Sequence, residues 1–461
     1  MGKYFGTDGI RGEANTGVMS PSTVLRIGQA FGLALREKVE RPRVIIGKDT
    51  RVSGYLLEGI LSAGLCSVGA DVLFVGPLPT PGIAYLTRGM RATAGIMISA
   101  SHNPFQDNGI KFFDKDGFKL PDQDEDFIER LIDDPTLESR QVNSARVGRA
   151  KRVDDAIGQY AVFLKERFPK SLKLDGMRIV VDCANGAGYR VAPKVFAELG
   201  AEVFCINNDP NGFNINLEAG ALHPERLKEE VLKYRADIGI ALDGDADRLV
   251  VVDEKGNILD GDQIICMCAI EMQVNHQLPS NSVVVTVMSN KGLDVAMDAA
   301  GVKVIRTPVG DRHVVEEMRK RGVVLGGEQS GHLLFLDSST TGDAIIAALK
   351  VLEMMCRRNK PVSVLAQAMH KLPQVTRNVK VPAKPGIEKL PNMQGRLEVL
   401  EAGLGNTGRI LFRYSGTESL ARITIEGPEL LQIRNMAQDL EAVLLADIAH
   451  HLQHEQGAKR G

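Results

Sequence analysis

Three segments of the chain repeat one pattern of apolar and polar positions. In each, a short apolar run leads into a helix-like stretch, a glycine turn and a second apolar run. The apolar runs are 43–47, 69–75, 178–181, 200–204, 282–287 and 301–305. Short continuous apolar runs are typical of buried parallel strands, and the stretches between them of crossover helices. The pattern therefore predicts three βαβ modules and an α/β architecture.

The C-terminal part of the chain follows a different pattern. Two strand-like runs, 409–413 and 421–425, flank a Ser-Gly-Thr loop, and 428–450 has helical periodicity. This arrangement predicts a smaller α+β domain. We therefore expect four domains in the 461 residues, with boundaries that carry an error of several residues. The predicted domains are 1–150, 151–252, 253–367 and 368–461.

Composition narrows the class of protein further. Apolar residues make up 44% and charged residues 25%, which is typical of globular proteins. The net charge is −2 and the basic residues are dispersed, which argues against a nucleic-acid partner. We see no signal peptide and no run of apolar residues long enough to span a membrane. The six scattered cysteines are typical of reduced thiols, so we expect a soluble cytoplasmic protein.

The first candidate for chemistry is the sequence Ser-Ala-Ser-His-Asn-Pro at 99–104. An apolar strand ends there, and Asn-Pro forces a turn that would expose Ser101 to solvent and to a ligand. His102 is adjacent, and Lys111 could return to the same place. Taken alone, a serine-rich turn at a strand end explains the motif at least as well. A serine hydrolase is disfavoured because the glycines of a nucleophile elbow are missing.

The second candidate is Asp243-Gly-Asp245-Ala-Asp247-Arg248, between two apolar runs. In an extended chain, positions two apart point the same way, so the three carboxylates would converge on one side. Clustered carboxylates repel one another unless a hard cation neutralises them. A calcium-binding EF-hand loop fits poorly, because its sixth position is Arg248 and not glycine. A plain acidic surface turn remains as an alternative, but Mg²⁺ binding fits best.

Two further loops carry polar groups suited to a sugar phosphate. A glycine-flanked loop presents Glu328, Ser330 and His332, side chains that suit sugar hydroxyls, although a simple glycine-rich turn explains it equally well. In the C-terminal domain, Arg413 and Arg422 flank hydroxyls and glycine-permitted backbone N–H groups, which could cradle a phosphate. A hairpin with charged edges is the alternative for that loop.

Taken together and in this order, these motifs resemble the α-D-phosphohexomutase superfamily. The resemblance covers nearly the whole chain. The matching segments are 4–12, 47–51, 98–111, 182–188, 243–248, 327–332 and 413–418. The long serine segment 99–113 is similar to the branch of the superfamily that acts on an amino sugar.

The resemblance implies a division of labour among the four domains, which would surround a central cleft. In chain order they would carry the phosphoserine loop, the metal, the sugar and the second phosphate. Ser101 would be the phosphoryl carrier, and as phosphoserine it would hold Mg²⁺ together with Asp243, Asp245 and Asp247. The transfer site would be lined by Arg11, His102, Lys111 and Arg248. The sugar would meet Glu328, Ser330 and His332, and the non-reacting phosphate would meet Arg413, Ser415, Gly416, Thr417 and Arg422.

The implied activity is that of an isomerase acting on a small sugar phosphate. It would interconvert glucosamine 6-phosphate and glucosamine 1-phosphate through a 1,6-bisphosphate, which would also act as activator, on the route to UDP-N-acetylglucosamine. A homodimer is the assembly to expect from the resemblance. Three alternatives stay open: the same chemistry on mannose or glucose phosphates, a phosphatase using the same metal site, and a non-catalytic sugar-phosphate sensor.

Overall fold

Our computed structural model describes residues 2–6, 8–415 and 419–458, apart from the side chains at 406 and 454–458. These described residues fall into two compact units. The first unit comprises Met1–Ser289 and Ala299–Ala368, and the second comprises Asn290–Asp298 and Met369–Gly461. The domain boundaries expected at 150, 252 and 367 stay predictions.

The N-terminal part of the first unit is built on a mixed sheet. Its elements are β1 (Phe5–Gly6), β2 (Gly9–Glu13), α1 (Pro21–Arg36), β3 (Arg43–Lys48), α2 (Ser53–Ser67), β4 (Asp71–Pro77), α3 (Thr80–Gly89), β5 (Ala94–Ile98), β6 (Asp107–Phe113), α4 (Asp122–Asp133) and β7 (Ala150–Arg152). The strand order is β1-β2-β6-β5-β3-β4-β7, and β6 runs antiparallel to β5. Every residue of β5 is buried, because helices cover both faces of such a sheet.

The middle part of the first unit contains a second mixed sheet. Its elements are α5 (Ala156–Lys165), β8 (Arg178–Asp182), α6 (Val191–Glu198), β9 (Glu202–Ile206), α7 (Glu225–Tyr234), β10 (Ile238–Leu242), β11 (Leu249–Asp253) and β12 (Ile258–Leu259). The strand order is β12-β11-β10-β8-β9. The central strands β10 and β11 are antiparallel and buried throughout, so the turn between them is anchored by two buried strands.

A third mixed sheet follows. The elements of this part are α8 (Gly261–Val274), β13 (Ser282–Thr286), α9 (Lys291–Ala299), β14 (Lys303–Thr307), α10 (Asp311–Arg321), β15 (Leu325–Gly327), β16 (Leu333–Phe335), α11 (Ala344–Arg358) and α12 (Val362–Leu365). The strand order is β14-β13-β15-β16, with β15 and β16 forming an antiparallel pair. Asp343 caps α11 by accepting hydrogen bonds from the N–H groups of Ile345 and Ile346, both at 3.0 Å.

The second unit carries the smaller sheet. Its C-terminal elements are β17 (Gln374–Lys380), α13 (Pro391–Leu404), β18 (Arg409–Tyr414), β19 (Leu420–Glu426) and α14 (Leu430–Ala458). The strand order is β17-β19-β18, antiparallel throughout, and an apolar cluster that includes Ile423, Leu440 and Leu444 fills the space between the sheet and the helices. Short 3₁₀ turns in the chain as a whole are Gly17–Met19, Leu137–Arg140, Ser144–Arg146, Gly220–Leu222, Ala366–Ala368, Ile387–Lys389 and Gly405–Thr407.

The three repeated modules predicted from the sequence are confirmed. The strand pairs β3–β4, β8–β9 and β13–β14 are all parallel. Gly69, Gly200 and Gly301 precede the second strand of each pair with φ of 90°, 107° and 69°, a left-handed conformation that favours glycine. The predicted fold class, three mixed-sheet α/β parts and a smaller C-terminal α+β part, is therefore correct.

Two further expectations concern membrane-spanning helices and the cysteine thiols. Among the described residues, no helix has the length and apolar character needed to cross a membrane. All six cysteines are free, as expected. Cys183, Cys266 and Cys268 are buried, whereas Cys205 is exposed on β9.

Helices α1 and α2 cross at unusually small separation, because glycines face each other there. A Cβ on Gly64 would lie 2.5 Å from the carbonyl oxygen of Leu25, and one on Gly28 would lie 2.7 Å from that of Leu61. Gly59, on the exposed side of α2, has open space around it.

We therefore predict opposite effects for two alanine substitutions in the same helix. Gly64→Ala should lower the free energy of unfolding by about 1–3 kcal/mol, because backbone must move. Gly59→Ala should raise it by up to about 1 kcal/mol, because alanine favours helix. Urea unfolding followed by circular dichroism measures both midpoints, and equal midpoints would contradict the packing account.

Candidate active site

Ser101 lies in a tight turn just after β5. Its φ is 51°, a left-handed conformation that is uncommon outside glycine. The Oγ atom donates a hydrogen bond of 2.7 Å to Oδ2 of Asp243 and lies 3.4 Å from Nδ1 of His102. The sequence predicted an exposed serine, and that is wrong: Ser101 is 1% exposed, because the Asp243 turn packs directly against it.

A buried arginine holds the serine turn in place. Arg51 is fully buried and donates hydrogen bonds to the carbonyl oxygens of Ser101, Asn103 and Pro104, at 2.8–3.0 Å. Its Nε pairs with Asp49 at 2.9 Å. A guanidinium offers five donors in a fixed fork, which suits it to fixing several carbonyls at once. Sequence analysis singled out segment 47–51 only as part of the resemblance and missed this role.

The three aspartates converge, but for a different reason from the one the sequence suggested. They lie in the turn between β10 and β11 and not in an extended chain, with Ala246 at φ 56°. One oxygen each of Asp243, Asp245 and Asp247 lies within 4.8 Å of the others, and all three side chains are buried. The turn is closed by Oδ1 of Asp243, which accepts from the N–H groups of Asp247 (3.1 Å) and Arg248 (3.2 Å).

A glycine allows the aspartate turn to approach the serine turn. A Cβ on Gly244 would lie 2.5 Å from the carbonyl oxygen of Ser101 and 2.8 Å from Nδ2 of Asn216. The Asn216 amide donates to the same Ser101 carbonyl at 2.8 Å. Glycine is therefore required here for close approach of two backbones.

Lys111 supplies the positive charge at the centre of the cluster. Its buried Nζ lies 2.8 Å from Asp245, 3.2 Å from Asp247 and 3.2 Å from Asp8. Burial alone would lower the pKa of Lys111, but these carboxylates outweigh it and hold the pKa well above the ordinary value. Lys111 is thus a fixed cation, which makes it a poor candidate for proton transfer.

A second set of charges extends from Lys111; Arg11 was predicted for this site, whereas Lys119 and Asp311 were not. Asp8 pairs with Lys111, Arg11 and Lys119, and Lys119 also pairs with Asp311. Burial would raise the pKa of Asp8, but these cations keep it well below its usual range. Single charged residues far apart in the chain leave no local signal, and Asp8 was included only as part of the matching segment 4–12.

His102 differs electrostatically from its charged neighbours. Burial, and then the guanidiniums of Arg248 and Arg11, lower the pKa of His102 to about 4. Its imidazole is therefore neutral near neutral pH, and the same low pKa makes it a weak base. In Arg248, Nε is buried without a hydrogen-bond partner in the described part of the chain and lies 4.0 Å from Asp247.

The loop between β15 and β16 brings His332 to the same cluster. Nε2 of His332 lies 3.7 Å from Asp311 and 4.0 Å from Asp247, and the residue pairs with Arg248 in a backbone bridge. Glu328 accepts a hydrogen bond from the N–H of Gly310 at 3.2 Å. Ser330 lies exposed at the tip of the loop. The loop thus places the His332 ring beside the carboxylates. The backbone N–H of Glu328 donates a 3.0 Å hydrogen bond to the carbonyl oxygen of His332.

The predicted phosphate loop belongs to the second unit. Arg413 and Arg422 are direct partners across the antiparallel pair β18–β19. Partial desolvation and the charge of Arg422 lower the pKa of Arg413, and like charges directly opposite are destabilising unless an anion offsets them. The carbonyl oxygen of Ser415 accepts a 2.6 Å hydrogen bond from Lys384, which sequence analysis missed. The predicted residues Gly416 and Thr417 lie outside the described residues.

The carboxylate cluster has the properties of a cation site. Oδ1 of Asp245 and Oδ1 of Asp247 are buried and have no hydrogen-bond partner among the described residues. Burial and the two neighbouring carboxylates raise the pKa of Asp243 well above its usual range. Oxygen atoms of this kind, unpaired and mutually repelling, suit a hard divalent cation.

Comparisons with known proteins identify the family of this chain. Family models for phosphoglucomutase/phosphomannomutase match along the chain: α/β/α domain I at 2–139, domain II at 158–256, domain III at 260–372 and the C-terminal domain at 377–443. The chain belongs to the phosphoglucomutase/phosphomannomutase family. The resemblance inferred from the sequence, and with it the predicted isomerase class, is confirmed.

Individual relatives of this family place the chain more narrowly. It is 55% identical over 441 residues to the phosphoglucosamine mutase of Pelobacter propionicus, covering 95% of this chain and 97% of the relative. It is 52% identical over 454 residues to that of Nitratidesulfovibrio vulgaris, covering 98% and 100%.

Solved structures share the fold of this family member. A phosphoglucomutase/phosphomannomutase family protein from Burkholderia thailandensis aligns with a TM-score of 0.80 at 24% identity, over 96% of this chain and 97% of that one. An N-acetylphosphoglucosamine mutase from Aspergillus fumigatus, solved with GlcNAc-6P and magnesium, aligns with a TM-score of 0.65 at 17% identity, over 97% and 96%.

Thr80 gives a test of the carboxylate cluster. Its hydroxyl, at the start of α3, donates a 2.5 Å hydrogen bond to Oδ2 of Asp245. Thr80→Val should lower the free energy of unfolding by about 1–3 kcal/mol, because a buried carboxylate loses a donor. It should also weaken Mg²⁺ binding about 10- to 100-fold, because a partner that orients a ligand is lost.

Thr80→Ser keeps the hydroxyl and serves as the control. Calorimetric titration with Mg²⁺ and urea unfolding measure the two effects. If the valine and serine variants bind Mg²⁺ equally well, the proposed role of Thr80 in orienting Asp245 is wrong.

Proposed function

We propose that this chain interconverts glucosamine 6-phosphate and glucosamine 1-phosphate through a phosphoserine at Ser101. The observation that carries the chemistry is the 2.7 Å contact between Ser101 Oγ and Asp243, inside a buried cluster of carboxylates with one fixed lysine. The choice of amino sugar is supported by relatives of nearly full length at 52–55% identity, which are phosphoglucosamine mutases.

We assign the metal to the aspartate turn. Asp243, Asp245 and Asp247, with an oxygen of phosphorylated Ser101, would hold Mg²⁺, and the two unpaired buried oxygens described above support that choice. When bound, Mg²⁺ neutralises charge on the transferring phosphoryl group.

The residues around Ser101 suit transfer of a phosphoryl group in both directions. In the forward direction the bond from Ser101 Oγ to phosphorus breaks as sugar O1 bonds to phosphorus; the proton of O1 passes to a base, and Ser101 Oγ takes up a proton that it loses again when it is rephosphorylated. The resulting 1,6-bisphosphate reorients without leaving the enzyme. Its 6-phosphoryl group then passes to Ser101, and O6 takes up a proton. Lys111, Arg11 and Arg248 are fixed cations that stabilise the transferring charge.

The base is best sought among the histidines. Lys111 holds its proton too firmly, and arginines are always charged. His102 is neutral and lies beside Ser101 Oγ. His332, both of whose ring nitrogens lack a hydrogen-bond partner among the described residues, is the second candidate. A test of His102→Gln against His332→Gln would separate them.

Substrate binding is assigned to the two remaining loops. Glu328 and Ser330, with His332 nearby, would take sugar hydroxyls. Arg413 and Arg422 would hold the phosphate that does not react, together with Ser415, Gly416 and Thr417. The directly opposed positions of Arg413 and Arg422 support this, since two guanidiniums can hold one phosphate through charge-assisted hydrogen bonds.

Several finer expectations belong to the same proposal. Segments 1–150, 151–252, 253–367 and 368–461 would carry the phosphoserine, metal, sugar and phosphate loops. A bisphosphate would act as intermediate and activator. The enzyme would be a cytoplasmic homodimer that acts without nucleic acid and supplies UDP-N-acetylglucosamine synthesis.

Ser101→Ala tests the phosphoryl carrier. Turnover of glucosamine 6-phosphate should fall by at least about 1,000-fold, because the covalent route is lost, and intact mass should lack the increment of one phosphoryl group. Pretreating the unsubstituted enzyme with a phosphatase should remove the same increment and the activity together, and a bisphosphate should restore both.

Controls keep the alternatives distinct. Ser171→Ala, at an exposed serine, should retain activity and phosphorylation. Mannose and glucose 6-phosphates in parallel test sugar choice, steady phosphate release would indicate a phosphatase, and binding without turnover would indicate a sensor. Normal turnover by Ser101→Ala would sink the phosphoserine scheme.

Arg413→Gln tests the second phosphate position. We expect kcat/KM to fall about 10- to 100-fold, mainly through KM, because charge-assisted hydrogen bonds to the distant phosphate are lost. Arg434→Gln removes an exposed arginine from the same unit and should change neither constant. Equal kinetics for the two variants would contradict the assignment.

A further inference from the structure

A large cavity in the first unit lies outside the site described above. Its volume is about 660 Å³, within the range of small-molecule pockets. We call it the basic cavity, because its lining includes Arg88, Arg91, Lys115 and Arg167. The aromatic rings of Tyr85 and Phe163 form part of its wall.

The residues that line the basic cavity carry more positive than negative charges. Its lining contains two carboxylates, Asp116 and Glu166, against four cations. Asp116 is already paired with Lys115 at 3.0 Å. Within the part of the chain that the structure describes, Arg88, Arg91 and Arg167 form no ion pair. Three guanidiniums thus converge on one cavity without a carboxylate partner, an arrangement that attracts a multiply charged anion.

Arg167 supplies an independent observation. Its Nε atom is buried and has no hydrogen-bond partner among the described residues. The guanidinium stacks on Phe163 with 4.4 Å to the ring centroid, and Phe163 stacks in turn on Tyr85 at 4.1 Å. This stack holds the guanidinium of Arg167 in one orientation at the wall of the cavity, so that less conformational entropy is lost when it binds an anion.

The basic cavity is separate from the catalytic cluster. Helix α3 has Thr80, which contacts Asp245, at its first residue and Arg88 near its last. At 1.5 Å per residue, Thr80 and Arg88 are about 12 Å apart along the helix axis. A ligand in the basic cavity would therefore occupy space that a substrate at Ser101 does not.

We propose that the basic cavity is a second, non-catalytic binding site for a small molecule that carries a diphosphate group. Two linked phosphoryl groups match three separated guanidiniums better than one does, because each can accept from a different arginine. The volume leaves room for a nucleoside beside the diphosphate, so inorganic pyrophosphate and a nucleoside diphosphate are both sources of the same chemistry.

Calorimetric titration of the full chain with pyrophosphate and with ADP, at low salt and without Mg²⁺, tests the proposal. Arg88→Gln/Arg91→Gln should weaken binding about tenfold or more, or remove one class of sites, while turnover without the anion stays unchanged. The control Arg190→Gln/Lys228→Gln removes two exposed cations outside the cavity and should bind as the unsubstituted chain does.

The outcomes are decisive for the site and for its ligand. If the cavity variant and the control bind both probes equally, or if neither probe binds the unsubstituted chain, the proposal is overturned. Tighter cavity-dependent binding of ADP identifies a nucleoside diphosphate, and equal binding identifies the inorganic anion. Should the double variant unfold early in a thermal scan, Lys115→Gln, at an exposed side chain, replaces it with the same expected direction.

Discussion

The burial of three mutually repelling carboxylates beside one serine is the constraint on which the first unit depends. Removing ionised groups from water is costly unless partners replace the water. Lys111, the Thr80 hydroxyl and the backbone N–H groups of Asp247 and Arg248 provide that replacement. These partners come from β6, the start of α3 and the β10–β11 turn, so two different sheets must meet at this point. The packing of these two sheets against each other therefore determines the geometry of the carboxylate cluster.

The serine turn depends on a second buried charge. Arg51 has one carboxylate partner, Asp49, and spends its other donors on carbonyl oxygens of the turn. Because those carbonyls point towards Arg51, Ser101 adopts a left-handed backbone and its hydroxyl faces Asp243. A lysine could not reproduce this pattern, since a single ammonium lacks the fork of donors. The position of Ser101 Oγ is therefore set by residues that need not touch a substrate.

Local patterns in the sequence were enough to predict most of the fold and the residues at the centre of the site. The βαβ modules were predictable because buried parallel strands and glycine turns have short-range signatures. The aspartate trio was also found, although through an extended geometry that the turn at Ala246 replaces. Lys119 and Asp311 were missed, because their pairing joins residues 192 apart and a lone charge has no periodicity. Burial was misjudged for Ser101, since the turn that covers it is 142 residues away.

The aspartate turn of the first unit and the β18–β19 pair of the second concentrate charges of opposite sign. In the first, the unpaired oxygens of Asp245 and Asp247 leave negative charge that a cation would complete. In the second, Arg413 and Arg422 occupy directly opposed positions on β18 and β19, where one anion could accept hydrogen bonds from both. A ligand that binds only the folded state stabilises it by mass action. A cation at the aspartate turn and an anion at the two arginines would therefore offset the energetic cost of keeping like charges together, so residues that repel one another in the free chain would select ligands of opposite charge.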